Sequence, residues 1–324
     1  MAEYKYNKQL QFVKSNSKGN LVNEKSEYTN GEGMDSRFSL WDIIKWKFSK
    51  EDFRKGRKDK DYSLNVIMNS AFLNSKEDMI VWLGHATFYI QINGIRIITD
   101  PIFAAMPFVP RKADLPLDSN LLTGIDYILL SHGHRDHFDK KSMSILKKNN
   151  PNIEVLLPMD LGKWFTKKGI KNEAAAWFQQ YDTVGDIEII FLPALHWNRR
   201  DGNDFNKALW GSFLIKSKNK TIYFAGDTAY GKHFKEIGEL YPDIDYCLLP
   251  IAAYHPQYIM KQSHMSPWEA ITAFADIKGK TMIPMHYGTF QLADEYLGEP
   301  EEVMKKSIPE ININILAPGE SLEI

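Results

Sequence analysis

A mixed α/β sandwich is the fold class this 324-residue sequence predicts, and three observations predict it. Short runs rich in Ile, Leu, Val, Phe and Tyr recur along residues 77–324 at strand length. Helical stretches fall between several of them, the interleaving that covers sheets with helices. Asn93-Gly94 separates two runs as a two-residue hairpin signal, so part of the sheet is an antiparallel meander. In order, strands are expected at 79–83, 88–92, 95–99, 127–130, 154–157, 187–192, 212–216, 221–225, 246–250 and 281–284. Helices are expected at 140–148, 161–168, 232–240 and 267–274. With 44% hydrophobic residues and 13% aromatics the chain can fill a core, and no linker divides 77–324, which reads as one catalytic domain.

Residues 1–76 read as an N-terminal extension. Residues 14–33 are polar and without periodicity, as in an arm or loop. A short amphipathic helix follows, with Ser39 as N-cap, Asp42 in the first turn, and Leu40, Ile44 and Phe48 on one stripe. Residues 50–60 are mostly basic. The segment 40–60, with Trp41, Trp46, Lys45 and Lys47, could lie peripherally on a membrane surface; the alternative is a helix packed on the domain with solvated lysines. The formal charge of -1 gives no reason to expect a nucleic-acid partner. Cys247, the only cysteine, allows no intrachain disulfide and reads as a buried thiol. Met1–Lys5 lacks the apolar core of a secretory signal, and no stretch reaches the ~20 apolar residues of a membrane span. A cytoplasmic location is the expectation. Oligomeric state is not legible.

The chemistry is carried by Ser131-His132-Gly133-His134-Arg135-Asp136-His137, entered directly from an apolar strand. Imidazole suits zinc and similar divalent ions, and a carboxylate adds an oxygen ligand. Two-residue spacing sends His132 and His134 to one side of an extended segment. Four ligand-type side chains in six residues exceed what one tetrahedral site needs and suit two adjacent ions. His196, Asp227 and His286 each sit just past an apolar run, the position the main motif occupies. His85, in a Gly-His-Ala-Thr turn, reads as a structural residue behind the ligands, and His233, opening a polar helix, as a surface residue.

Taken together these stretches resemble the metallo-β-lactamase superfamily, whose signature is HxHxDH, and within it the N-acylphosphatidylethanolamine-hydrolysing phospholipase D family. The resemblance rests on Trp82 to Thr87, Thr99 to Phe103, the HGHRDH run, Leu195-His196-Trp197, Leu209 to Ser212, Phe224 to Thr228, Pro250 to Tyr254, Met260 to His264 and His286 to Phe290. It implies the four-layer αβ/βα sandwich of that superfamily. It also implies two zinc ions, with iron or manganese able to use the same ligands. His132, His134 and His196 would hold one ion and Asp136, His137 and His286 the other, with Asp227 bridging. His264 matches a family histidine near the substrate phosphate. Where the family often has an acidic residue after Ala-Tyr, this chain has His255, so polar recognition around Tyr254 differs.

The implied activity is a dinuclear hydrolase, a phosphodiesterase acting on phospholipid-like or other phosphodiesters. A hydroxide bridging two ions roughly 3.5–4 Å apart is the expected nucleophile, since metal binding lowers the pKa of water to about 7. Asp136 could orient it. Asp100 is expected to hold a ligand imidazole in one tautomer. Two other readings remain open, a lactonase acting on a sugar-phosphate or related lactone and a non-catalytic metal-binding sensor.

Overall fold

The computed structural model describes residues 3–31, 40–48, 62–307 and 311–324. The N-terminal segment contributes β1 (Glu3–Lys5), β2 (Gln11–Phe12) and β3 (Asn20–Val22). A meander follows, β4 (Met79–Trp82), β5 (Phe88–Ile92) and β6 (Ile95–Thr99), whose turn residues Asn93 and Gly94 have φ of 49° and 75°, both in the left-handed region that a tight hairpin turn requires. Three parallel strands extend it, β7 (Tyr127–Leu129), β8 (Glu154–Pro158) and β9 (Lys171–Ala175). The second sheet is built from β10 (Gln179–Gln180), β11 (Ile187–Leu192), β12 (Ser212–Ser217), β13 (Thr221–Phe224), β14 (Tyr246–Pro250) and β15 (Thr281–Met285); β16 (Ser321–Glu323) returns to the first. The spatial orders are β16-β4-β5-β6-β7-β8-β9 and β15-β14-β13-β12-β11-β10-β2.

Alternation explains how these strands form four layers. Ile80 and Trp82 of β4, Ile90 of β5 and Ile97 of β6 point into a core shared with Phe191, Phe213 and Leu214 of the facing sheet. Their neighbours Met79, Val81, Tyr89 and Ile98 point the other way, into a second cluster with Met143, Leu146 and Phe165. Those last three come from α2 (Lys140–Asn149) and α3 (Lys163–Lys167), which cover the outer face. On the opposite outer face α4 (His233–Leu240) and α6 (Pro267–Ile277) supply Phe234, Ile237, Ala270 and Ile277. Strands buried on both faces read as unbroken apolar runs, which is why 127–130 and 246–250 show so little polar punctuation. Cys247 lies in this interior, its thiol pushed up by burial. The αβ/βα sandwich is the expected fold.

Every strand and helix expected between 77 and 324 forms, within a few residues of its expected ends. The short β9, β10 and β16, α5 (Gln257–Met260) and α7 (Glu299–Lys305) escaped the reading, being too brief or too polar to carry a period. The same reason hid order in the N-terminal stretch. β2 extends the second sheet through Gln179↔Phe12 and Gln180↔Gln11, and Val22 and Tyr28 are buried in the shared core. In α1 (Leu40–Phe48) the inward residue is Trp46, whose indole donates to Asp294, while Ile44, Phe48 and Trp41 are exposed. Ser39 and the basic stretch 50–60 lie outside the described residues. Among the described residues no helix is long and apolar enough to cross a membrane.

Trp82 ties the core to the histidine-rich end of the sheets. It is fully buried, stacks on Tyr287 at 5.0 Å and donates from Nε1 to the His85 carbonyl at 2.9 Å. Trp82→Ala is expected to cost about 3–5 kcal/mol, read as a lower urea midpoint at unchanged slope.

Candidate metal centre

At the carboxyl end of β7 the chain runs into the histidine motif, and Asp100, just past neighbouring β6, receives it. Asp100 accepts from the Ser131 backbone N–H at 2.7 Å, from Ser131 Oγ at 2.5 Å and from His137 Nδ1 at 2.7 Å. With Nδ1–H committed, His137 presents Nε2 to the interior. His137 N and Phe138 N both donate to the His134 carbonyl, closing the turn that brings Asp136 and His137 under His132 and His134. Gly133 is required by close approach: its N–H donates to Asn198 Oδ1 at 2.6 Å, and a Cβ there would stand 2.6 Å from the same oxygen.

Three separate strand ends complete the cluster. His196, past β11, donates from Nδ1 to the Ser263 carbonyl at 2.8 Å, leaving Nε2 3.1 Å from His134 Nδ1. Asp227, past β13, follows Gly226, whose φ of 59° and 2.7 Å hypothetical Cβ contact with Ser131 exclude a larger residue. Its carboxylate lies 3.2 Å from His137 Nε2, 3.0 Å from His286 Nε2, and 3.8 Å from both His196 Nε2 and His264 Nδ1. His286, at the end of β15, also reaches Asp136 at 3.7 Å.

Ligand-type atoms within 4.8 Å of one another fall into overlapping groups. His132, His134 and His196 form one; His85, Asp136, His137 and His286 another; His196, Asp227 and His264 a third; and Asp100, His132 and His137 a fourth. These are two adjacent metal-ligand clusters joined through Asp227, as a dinuclear centre requires. His85 joins the second of these groups, with Nε2 3.3 Å from Asp136 and its ring 4.0 Å from that of His286.

The charges divide the clusters chemically. Burial lowers His132 and His196 well below the ordinary histidine value and His134 to about 4, so these imidazoles are neutral and their lone pairs available. Burial acts the same way on His137 and His286 but is outweighed. Carboxylates of Asp227, Asp136 and Asp100 hold His137 well above the ordinary value, and Asp227 and Asp136 raise His286 to about 9. Against their own burial, Asp136 and Asp227 are held well below the usual carboxylate range by these imidazoles, His137 foremost. The buried Asp227 and the half-buried Asp136, beside imidazoles that would otherwise take protons, form a strongly cation-seeking pocket. Nε2 of His137 and His286 is buried and completes no hydrogen bond among the described residues, as expected of metal-facing nitrogens, while His134 turns Nδ1 toward its cluster, 2.9 Å from His132 Nε2 and 3.1 Å from His196 Nε2. The donor set fits divalent ions of the zinc class.

His264 lies at the more open side, 14% exposed, with burial lowering it to about 4. Tyr254 is buried with its hydroxyl donating to Glu299 at 2.7 Å, and the half-buried His255 ring lies 4.6 Å from it. His233, expected at the surface, is buried: its Nε2 lies 3.2 Å from Thr228 Oγ1, because α4 turns its first residue back toward the loop that carries Asp227. Residues the sequence reading missed are Ser131, Asn198 and Thr289, the last accepting from His85 N–H at 2.8 Å. Their only signal was adjacency to ligands.

The chain is similar to known proteins. A β-lactamase superfamily domain matches residues 95–287. The N-acyl-phosphatidylethanolamine-hydrolyzing phospholipase D 1 of Caenorhabditis elegans is 28% identical over 91% of this chain and 88% of its own. A metal-dependent hydrolase of Koribacter versatilis is 32% identical over 75% of this chain and 96% of its own. In solved structures, a metallo hydrolase of Ignicoccus hospitalis superposes with a TM-score of 0.60 at 21% identity, covering 76% of this chain and 98% of that one, a likeness of fold. With the domain match spanning more than half its length and two metal-ligand clusters at the strand ends, the chain belongs to the β-lactamase superfamily and has the metallo-β-lactamase fold.

Proposed function

We propose that this protein is a dinuclear metal-dependent phosphodiesterase of the N-acylphosphatidylethanolamine-hydrolysing phospholipase D type. The observation that carries the hydrolase reading is the convergence of seven His and Asp side chains from four strand ends on one point. The substrate class is supported by similarity along most of the chain to the C. elegans enzyme named for that activity. His132, His134 and His196 would hold one ion, Asp136, His137 and His286 the other, and Asp227 both; zinc is the first candidate, with iron and manganese compatible. Two such ions supply an activated water and neutralise charge on the attacked oxygen.

The chain's own residues prepare that chemistry. Asp100 and the Ser263 carbonyl fix the tautomers of His137 and His196. His85, lowered to about 3 by burial, is neutral and donates from Nε2 to Asp136, orienting its carboxylate. His264, neutral at pH 7, can donate to a phosphoryl oxygen at the open side of Asp227. With the Tyr254 hydroxyl engaged by Glu299, the His255 ring is the better placed of the two to meet a head group.

The metal-loaded protein should hydrolyse bis-p-nitrophenyl phosphate and an N-acyl phosphatidylethanolamine faster than any member of a lactone panel. Preference for a lactone would replace the phosphodiesterase reading with the lactonase one, and inactivity on all three with ions bound would leave a sensor. Peripheral membrane contact belongs to the same proposal, supported by Trp41 and Phe48 at 77% and 80% exposure on α1. Co-sedimentation with phosphatidylethanolamine vesicles should fall several-fold in a Trp41→Ala, Phe48→Ala variant; equal pelleting would remove it.

A further inference from the structure

Outside the metal ligands, one network of amides, buried at Asn198 and Asn206 and half-buried at Asn30, joins the N-terminal segment to the centre. Asn30 grips the backbone of His196 on both sides: its Nδ2 donates to the His196 carbonyl at 2.9 Å, and its Oδ1 accepts from His196 N–H at 3.3 Å. The same Oδ1 accepts from Trp210 Nε1 at 3.0 Å, and that indole also donates to the Ala194 carbonyl. Two residues earlier, Tyr28 N–H donates to the Asn206 carbonyl at 2.8 Å and the Tyr28 carbonyl accepts from Asn206 Nδ2 at 3.2 Å. Asn206 in turn accepts from Asn198 N–H through Oδ1 at 2.9 Å and donates its own N–H to the Asn198 carbonyl at 2.7 Å. Asn198 Oδ1 takes the Gly133 N–H, between His132 and His134.

The segment is firmly seated. Tyr28 is buried, with its hydroxyl on Asp160 at 2.8 Å, and β2 lies in register on the second sheet. Both branches lead to the same three ligands, His196 through Asn30 and the His132–His134 loop through Asn206 and Asn198. The other three ligands are held otherwise, Asp136, His137 and His286 by His85, Asp100 and Asp227, of which Asp100 also braces His132 through Ser131.

We propose that residues 20–31 are a strap that positions the His132, His134, His196 cluster, with Asn30 as a positioning residue for His196. The proposal rests on the dinuclear reading above. A ligand whose backbone is clamped loses less freedom when an ion binds, so the strap raises affinity in one cluster only. It also gives the N-terminal segment a catalytic relevance that its polar composition hides.

The test is cobalt(II) titration of the metal-free full chain, followed by its visible absorption and by calorimetry. The wild type should show two binding steps. Asn30→Ala should weaken one of them by about tenfold or more, the effect expected when a ligand loses an outer partner, and leave the other unchanged. Asn30→Asp keeps the Oδ1 acceptor and should recover part of that loss, and Asn198→Ala should weaken the same step. Thermal melting of the metal-free proteins is followed in parallel. If Asn30→Ala leaves both steps as in the wild type, or weakens both equally with a lower melting temperature, the strap is only structural and the inference fails. A wild type that binds no cobalt overturns the dinuclear reading itself, a result distinct from two normal steps in both proteins.

Discussion

Asp227→Ala is expected to lower bound metal from two ions per chain to one or fewer, and to reduce hydrolytic turnover by more than about 100-fold. The size follows from comparison: removing an outer partner of a ligand costs about 10–100-fold in affinity or activity, and Asp227 belongs to the cluster itself. Its Oδ2 lies against His137, His196 and His264 and its Oδ1 against His286, so the carboxylate touches both clusters. Among the described residues no other carboxylate makes ion-pair contacts within 4.0 Å on both sides: Asp136 does so with His85, His137 and His286, and Asp100 with His137. Loss of Asp227 also removes the largest attraction that holds His137 and His286 above the ordinary histidine value. Asp227→Asn keeps the shape and loses the charge, so it should resemble alanine in metal content more than the wild type. Elemental analysis of dialysed protein measures this directly. Two ions retained in Asp227→Ala, with turnover intact, would mean that the clusters are not joined through this residue.

Much of this was legible because the chemistry sits where the hydrophobic pattern breaks. His132, His196, Asp227 and His286 each follow an apolar run, and it is their recurrence beside the HGHRDH motif that marks them as candidate ligands. Asp100, just past β6, was reachable by the same logic, and it receives the Nδ1 of His137 as expected. What stayed hidden depended on contacts between distant, weakly patterned segments. Asn30 and His196 are 166 positions apart, and nothing in the polar stretch around Asn30 signals a partner. β2 is two residues long, too short for alternation to show. His233 misled for a related reason: a histidine opening a polar helix reads as solvated, yet that helix turns its first residue inward onto Thr228. His85, read as a residue behind the ligands, has its Nε2 3.3 Å from Asp136 and its ring 4.0 Å from that of His286.

Metal uptake should be steeply pH-dependent at one cluster and nearly flat at the other. Without a cation the carboxylates keep protons on His137 and His286, the latter raised to about 9. An ion entering there must displace them, so below pH 9 its affinity should fall about tenfold per unit for each proton released, or about 100-fold when both leave. At the His132, His134, His196 cluster burial already keeps the imidazoles neutral, His134 down to about 4, and no proton has to leave between pH 6 and 8. Calorimetry in buffers of different ionisation enthalpy counts the protons for each step. The linked effect on stability has the opposite sense in the metal-free protein. A histidine raised in the folded state stabilises fully below its unfolded value near 6.5 and loses that contribution as pH rises through about 9. The metal-free protein should therefore melt at lower temperature at pH 9.5 than at pH 7, while the loaded protein, with those imidazoles neutral and bound, gains affinity over the same range. Two equally flat binding steps would show that protons do not compete at this centre, and that Asp136 and Asp227 are not facing His137 and His286 as the geometry places them.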